Sequence, residues 1–197
     1  MNNNKSATSW LQTLQGSLNE NQALPEAKYL QLATINSENH PEVRTVVFRG
    51  FVDSSASLLI HTDIRSQKIQ HIWAHNQAQI CWYFSQSREQ YRLTGKVKVV
   101  TANSDLQQSL RLQHWQNLSV SAKHSYYWDT PGEVLGLDDE FQGRVDENKH
   151  TEQISDNFCL LVFSVLAVDH LQLKPTPHKR SRYVYSDDSW QTIKVNP

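Results

Sequence analysis

Apolar and polar residues alternate along much of this chain with a period of two, which is typical of strands that bury one face. The alternating runs are rich in Val, Ile, Leu and aromatic residues, and they end at Gly, Pro, Asn, Asp or Ser. They predict strands at residues 29–35, 43–52, 58–62, 78–85, 90–101, 158–168, 183–185 and 190–195. The first two predicted strands form a hairpin, and so do the last two.

Helical periodicity is confined to a few segments, at residues 10–21, 66–76, 105–117 and 119–127. Ser66 is the predicted N-cap of the second helix. Residues 129–151 are rich in Gly, Pro and acidic residues and are expected to form an exposed loop. Strands dominate, so we expect one mainly β domain over residues 1–197, a small antiparallel barrel with helices packed on it.

Composition excludes several classes of function. The net charge of −1 argues against a nucleic-acid-binding surface, which usually needs a basic excess. No segment has the apolar length of a membrane span, and the N-terminus lacks the apolar core of a signal peptide. Cys81 and Cys159 both lie in apolar runs, which favours buried thiols and a reducing, cytoplasmic location. His71 and His75 are one helical turn apart but lack the glutamate of a metalloprotease motif, so we expect no metal site.

The run from Arg44 to Arg49 combines β-branched and aromatic residues with a guanidinium at each end. Alternation places Arg44, Val46 and Phe48 on one face, and Thr45, Val47 and Arg49 on the other. A guanidinium among buried residues needs an anionic partner or a route to solvent. An edge strand whose arginines extend into water is therefore the alternative to a binding site.

A second candidate lies where the strand at 58–62 leads into the helix at 66–76. The N-terminus of a helix attracts anions, and phosphate suits its backbone N–H groups. Ser66, Gln67 and Lys68 add a hydroxyl, an amide and an ammonium there, directly after His61 and Thr62. The alternative is a capped helix with a solvated lysine. The two candidates support one another because the arginines on the preceding strand could reach the same anion.

Two further polar clusters have weaker support. Gln90, Arg92 and Thr94 share one face of a predicted strand and could hydrogen-bond a polar heterocycle, or they could simply face water. Residues 177–183 form a basic cluster that suits anion binding or a solvated surface. Among catalytic and nucleotide-binding motifs, we find no G-x-G-x-x-G, no P-loop and no G-x-S-x-G.

Taken in order, these motifs resemble those of the pyridoxamine 5′-phosphate oxidase-like flavoproteins. The resemblance rests on Arg-x-Val-x-x-Arg from Arg44, Thr-x-x-x-Ser-x-Lys from Thr62 and Gln-x-x-x-x-Gly from Gln90. It is nearer to the cyanobacterial-type, FMN-binding related branch, through a Trp-containing N-terminal helix, the segment from Gln31 to Thr34, a Trp-x-x-Pro-Gly loop from Trp128 and the Asn196-Pro197 terminus. The similarity covers nearly the whole chain.

This resemblance implies a split β-barrel homodimer with FMN in two clefts at the subunit interface. It implies that Arg44 and Arg49 approach the phosphate and ribityl chain, that His61 and Thr62 line the ring or ribityl side, and that Ser66, Gln67 and Lys68 hold the phosphate. Gln90 and the pair His124-Ser125 would come from the partner subunit. The full implied set of cofactor contacts is Arg44, Thr45, Val46, Val47, Arg49, His61, Thr62, Ser66, Gln67, Lys68, Gln90, His124, Ser125 and Arg182.

The chain departs from the family mainly at the substrate site. The oxidase has lysine at the position of Arg49, and its Arg-x-His substrate motif reads His178-Lys179-Arg180 here. Arg111 is a possible replacement for a phosphate-gripping arginine, and Leu171 or Leu173 replaces a tryptophan beside the flavin. We therefore expect an FMN-dependent oxidoreductase with an altered substrate site, with substrate contacts from Arg49, Arg111, His178 and Arg180. The alternative is a flavin- or haem-binding module without pyridoxamine-phosphate turnover.

Overall fold

The structure, a computed structural model, describes residues 9–52, 56–104, 107–135 and 152–197. These residues form four α-helices and eight strands, with single 3₁₀ turns at Pro25–Lys28 and Ser125–Tyr127. The elements in chain order are α1 (Ser9–Glu20), β1 (Tyr29–Ile35), β2 (Pro41–Phe51), β3 (Ser57–Asp63), α2 (Gln67–Ala74), β4 (Gln77–Phe84), β5 (Glu89–Val100), α3 (Gln108–Gln116), α4 (Val120–His124), β6 (Phe158–Gln172), β7 (Lys179–Ser186) and β8 (Ser189–Val195).

Six of the strands close into a barrel. The strand order is β3-β2-β1-β4-β5-β6, and β3 also pairs with β6, so the ring has no open edge. All of the pairings are antiparallel. The last two strands continue the sheet beyond β6 as a hairpin outside the barrel. The predicted fold, an antiparallel split barrel with packed helices, is confirmed.

The strand β6 changes partner halfway along its length. Residues 158–164 pair with β3, and residues 167–172 pair with β7. The change coincides with a register shift against β5, where Thr94 faces Ala167 but Gly95 faces Val165. A Cβ on Gly95 would lie 2.2 Å from the carbonyl oxygen of Ser164. Only glycine therefore permits the close approach of the two strands at this point.

The main core fills the barrel and is covered by a helix at each end. Trp10 and Leu14 from α1, and Ile69 and Ile72 from α2, pack against the buried faces of the strands. The helix α1 contacts the beginning of β5 through a hydrogen bond from Ser17 to Glu89. The helix α2 leads into β4, whose first residue pairs with Lys96 near the other end of β5. A smaller core outside the barrel joins β3 and β6 to α3, from Leu59, Val100, Trp115, Phe158, Leu160 and Val162.

Most predicted element boundaries differ from the observed ones by a few residues, the largest differences being four residues at the end of β6 and at the start of β7. Of the predicted loop at 129–151, residues 129–135 are exposed, and the remainder lies outside the described residues, as does Asp105 of the predicted third helix. Both cysteines are free, but Cys81 is only half-buried, on the outer face of β4. Within the described ranges, no helix has the length and hydropathy needed to span a bilayer.

Candidate functional site

The N-terminus of α2 carries a lysine whose hydrogen-bond partners are uncharged. Lys68 Nζ donates to Thr62 Oγ1 at 3.1 Å and to Ser66 Oγ at 2.9 Å. Ser66 occupies the N-cap position as predicted, but its hydroxyl donates to the carbonyl of Asp63 at 2.7 Å and does not cap the helix. The first backbone N–H groups of α2 therefore lack a side-chain cap, which leaves them suited to an external anion.

Within the part of the chain that the structure describes, Lys68 forms no ion pair. The nearby carboxylate of Asp63 is held by Arg65, at 2.7 Å and 3.0 Å. Burial lowers the pKa of Lys68, and the positive charge of Arg44 lowers it further. A half-buried ammonium with only neutral partners gains most from a bound anion. The chemistry of this donor set fits a phosphate group.

Arg44 lies beside this lysine at the end of the barrel. Its Nη1 donates to the carbonyls of Leu32 and Glu42, at 3.1 Å and 3.0 Å, and to Thr34 Oγ1 at 2.7 Å. The Glu42 carboxylate is 3.7 Å from Nη2, and burial lowers the pKa of the guanidinium despite that charge. The pairing of Leu32 with Arg44 fixes the side chain at this position. We refer to Arg44, Thr62, Ser66 and Lys68 as the basic rim.

Arg49 lies elsewhere, on the opposite face of β2 as the alternation predicts. The strand bulges between Phe48 and Phe51, where Gly50 has a φ of +126°, and Arg49 is exposed. It borders a cavity of about 390 Å³ lined by Lys28, Phe48, Arg49, Gly50, His61, His114, Asn117 and Leu118. We refer to this space as the imidazole cavity. Within a single chain the strand directs the side chains of Arg44 and Arg49 to different faces, and the interpretation that they share one anion stays a prediction.

Two histidines face each other in the imidazole cavity. His61 Nε2 lies 2.9 Å from His114 Nδ1, and the rings meet edge to face with centroids 5.0 Å apart. Burial, the charge of Arg49 and the neighbouring His114 lower the pKa of His61 to about 3. Burial and Arg49 also lower the pKa of His114. Both rings are therefore neutral at neutral pH. The remaining nitrogen of His61, Nδ1, is buried and has no hydrogen-bond partner in the part of the chain that the structure describes.

The structure does not support the predicted substrate role of Arg111. Its guanidinium is buried and donates to the carbonyls of Phe158 and Ser155, so it ties α3 to the start of β6. The α3 residue that reaches the cavity is His114, which the sequence interpretation missed. Arg111 and Trp115 are one turn apart and share the buried face of α3. That spacing was the available signal that His114, between them, belongs to another face.

A third group of predicted residues lies on the outer face of β5, β6 and β7. Arg180 donates two hydrogen bonds of 2.8 Å to Asp169, and Arg92 donates one of 2.7 Å. The hydrogen bond from Arg180 is the main reason that the pKa of Asp169 falls to about 2. Arg180 is thus neutralised within the chain, which counts against the predicted substrate contact. His178 and Arg182 are exposed, and Arg182 forms no ion pair among the described residues.

The residues predicted to contact FMN lie in several separate places on one chain. In the closed ring, β2 and β5 are three strands apart in either direction, so Gln90 lies across the barrel from the residues of β2. Gln90 also lies at the end of β5 remote from α2.

The other predicted contacts lie on β2 and near the end of α4. Thr45 and Val47 are on the outer face of β2, and Val46 points into the core. His124 ends α4, and Ser125 Oγ donates to the carbonyl of Ala122.

A closed six-stranded barrel with a basic rim and two additional strands defines the class of this protein, a split-barrel domain of the FMN-binding type. Residues 7–101 match the model of a family described as pyridoxamine 5′-phosphate oxidase, FMN-binding domain. The chain is 34% identical to pyridoxine/pyridoxamine 5′-phosphate oxidase 2 of Arabidopsis thaliana, over 95% of this chain and 96% of that one. The chain therefore belongs to the pyridoxamine 5′-phosphate oxidase-like family.

Solved structures agree with this assignment. A pyridoxamine 5′-phosphate oxidase-related, FMN-binding protein from Nostoc punctiforme superposes with a TM-score of 0.90 and 34% identity, over 98% of this chain and 99% of that chain. PhzG from Burkholderia lata superposes with a TM-score of 0.77 over 95% of this chain and 91% of its own, but at 18% identity it supports the fold alone.

Proposed function

We propose that the protein binds FMN and is an FMN-dependent oxidoreductase. The observation that carries this proposal is Lys68, a half-buried ammonium without an ion pair among the described residues. In the proposal, the basic rim and the N-terminal N–H groups of α2 hold the FMN phosphate, with Gln67 beside them. Bound FMN supplies two-electron redox chemistry, and the protein contributes binding, orientation and exclusion of water. The family and the FMN-binding relative from Nostoc punctiforme support the same cofactor.

We propose further that the active form is a homodimer in which each FMN contacts both chains. Gln90 lies across the barrel from Arg44, and Arg182 lies on the β7–β8 hairpin outside the ring. A second copy would bring them to the same FMN, together with His124 and Ser125. The outer face of β1, β2 and β4 is suited to this contact, since Tyr29, Val43 and Tyr83 are 46%, 68% and 45% exposed.

We propose that the substrate site of this protein differs from that of the oxidase. Arg111 is bound to backbone carbonyls and Arg180 to Asp169, so neither is free to grip a substrate phosphate. The identity to the Arabidopsis thaliana oxidase over nearly the whole chain favours an oxidoreductase nonetheless. The second candidate is a flavin-binding module without turnover of pyridoxamine phosphate, and the same two occupied arginines favour it. The free thiols agree with a cytoplasmic location, which we also propose.

Cofactor binding is tested by spectroscopy of the purified protein. We expect a flavin absorbance band, or saturable quenching of flavin fluorescence when FMN is added to flavin-free protein. Riboflavin, which lacks the phosphate, should bind much more weakly. Equal affinity for riboflavin and FMN would overturn the assignment of the phosphate to the basic rim, and no flavin binding at all would overturn the proposed function.

The shared site is tested by subunit complementation. Lys68→Met and Arg182→Ala chains are co-expressed with different tags, and mixed dimers are isolated on both tags. If FMN contacts both chains, each mixed dimer holds one intact site and binds FMN at half of its sites with wild-type affinity. Two impaired sites in the mixed dimer would show that Lys68 and Arg182 act in the same chain. Wild-type FMN affinity in the Arg182→Ala homodimer would show that Arg182 has no part in binding.

Turnover is tested by aerobic incubation of the FMN-loaded protein with pyridoxamine 5′-phosphate. Formation of the aldehyde with an equal amount of hydrogen peroxide would show oxidase activity and overturn the altered substrate site. Bound FMN without either product is the result expected from the occupied arginines.

A further inference from the structure

The imidazole cavity contains a pair of facing histidines, His61 and His114, which phosphate binding at the basic rim does not require. His61 and His114 come from β3 and α3, and their facing nitrogens are 2.9 Å apart. His61 is fixed on a second side by Phe158 of β6, whose ring lies edge-on at 5.3 Å. The ring therefore has one defined orientation. Its Nδ1 is buried without a hydrogen-bond partner among the described residues, which is unfavourable unless a ligand completes the hydrogen bond.

The surroundings keep this pair uncharged and favour an anionic or proton-donating ligand. Arg49 faces the pair from β2, and Lys28 faces the cavity from the 3₁₀ turn before β1. Tyr126 packs against Phe158 on the other side of the pair, and its hydroxyl stays protonated because burial raises its pKa. Asp63, the acidic residue nearest along β3, is bound to Arg65. The described lining of the cavity contains no carboxylate.

We propose that His61 and His114 form a proton relay between the ligand in the imidazole cavity and solvent. In one state, His61 Nε2–H donates to His114 Nδ1, and His61 Nδ1 accepts a hydrogen bond. When a ligand gives a proton to His61 Nδ1, the Nε2 proton moves to His114 Nδ1, and His114 Nε2 releases its own proton to water. Both rings change tautomer and neither keeps a charge, so the step balances without another acid or base. His114, which is only half-buried, is the positioning residue.

The relay deepens the proposed function, because its ligand would be the substrate of the flavin site, but the rings themselves do not depend on flavin. Nitrogen-15 NMR of the imidazoles in flavin-free protein therefore tests it independently. In the wild-type protein we expect one coupled pair of tautomers, with both rings neutral at neutral pH. We expect His114→Ala to raise the pH at which His61 titrates toward its ordinary pKa of 6.5, since one of the two groups that lower the pKa besides burial is removed.

His114→Asn separates a relay from a packing role. Its side-chain amide keeps a hydrogen-bonding group near the position of Nδ1 but cannot pass a proton on. We expect it to preserve the His61 ring orientation while slowing exchange of the His61 ring N–H with solvent by about a hundredfold. Asn117→Ala, which alters the same cavity without touching the pair, should change neither signal. Wild-type exchange in His114→Asn would overturn the relay even if FMN binds. Conversely, a protein that takes up no flavin but shows coupled rings would overturn only the proposed function.

Discussion

The two ends of the barrel hold buried polar clusters of opposite kinds. At the α1 end, Ser17, Glu89, Tyr91, His170 and Gln172 form a cluster that we call the Glu89 network. At the α2 end, the basic rim gathers two cations with hydroxyl groups and backbone carbonyls. The first cluster supplies its own partners, and the second leaves a charge without one.

Both carboxylate oxygens of Glu89 accept hydrogen bonds from side chains of the same chain. Oε1 accepts from His170 Nε2 at 2.9 Å and from Gln172 at 3.0 Å, and Oε2 accepts from Ser17 Oγ at 2.6 Å. Burial would raise the pKa of Glu89, but the hydrogen bonds from His170, Ser17 and Gln172 outweigh it, so the pKa falls from 4.5 to about 2. Tyr91 stacks on His170 with ring centroids 4.1 Å apart. Such a network stabilises the fold, because its polar groups hydrogen-bond one another.

The contrast teaches that a buried charge indicates a binding site only when its partners are incomplete. Lys68 and Glu89 are both ionisable, both largely enclosed and both conspicuous in a sequence. Glu89 fixes α1 to the barrel, whereas Lys68 has only uncharged hydrogen-bond partners among the described residues. Substitutions should therefore separate stability from binding between the two ends.

The largest effect is expected from Glu89→Ala. Its removal takes the acceptor from the buried His170 and from Gln172, at about 1–3 kcal/mol for each group, whereas Ser17 keeps its hydrogen bonds to the carbonyl of Thr13 and to Tyr91. We expect the free energy of unfolding in urea to fall by about 3 kcal/mol or more, while FMN affinity of the folded protein stays close to wild type. Glu89→Gln keeps one acceptor oxygen and should lose less. A Glu89→Ala protein as stable as wild type would remove the network from the stabilising interactions.

Lys68→Met should give the opposite result. Methionine preserves the length and apolar stem of the side chain without the charge. We expect the FMN dissociation constant to rise by about 10- to 100-fold, the equivalent of one charge-assisted hydrogen bond. The free energy of unfolding of flavin-free protein should stay the same or increase, because an unpaired half-buried cation is removed. Lys194→Met, at an exposed position on β8, is the matched control and should alter neither quantity. Equal destabilisation by Lys68→Met and Glu89→Ala would erase the distinction between the two ends.

The smallest effect is expected from pH alone. The pKa of Glu89 is lower in the folded chain than its ordinary value of 4.5, so its contribution to stability is complete above pH 4.5 and is lost as pH falls toward about 2. The loss is at most about 1.4 kcal/mol for each pH unit in that window. Urea unfolding of flavin-free protein at pH 5 and pH 3.5 measures it. Glu89→Gln should have a shallower acid dependence, and an unchanged slope would assign the acid sensitivity to other carboxyl groups.

Sequence periodicity predicted the strands well because the barrel has one buried face per strand, and alternation reports that face directly. It also placed Arg44 and Arg49 on opposite faces, and Ser66 to Lys68 at a helix N-terminus. It did not identify the partners of these groups. Glu89 and His170 meet through the pairing of β5 with β6, about eighty residues apart in the chain, and no local pattern encodes that register. The sequence predicted Arg111 at the site, but the structure places His114 there, for a related reason. The rotation of α3 is set by the hydrogen bonds of Arg111 to Phe158 and Ser155.

Because β6 changes partner along its length, the barrel and the β7–β8 hairpin can unfold separately. Its first half is bonded to barrel strands on both sides, so separating it requires the ring to break. The β7–β8 hairpin is attached along one edge only, and Trp190, packed on Trp10 with ring centroids 5.3 Å apart, anchors its far strand. The hairpin can therefore detach while the barrel stays closed, and its amide hydrogens should exchange first. Because Arg182 lies on β7, detachment of the hairpin would remove one proposed FMN contact and let the cofactor dissociate without global unfolding.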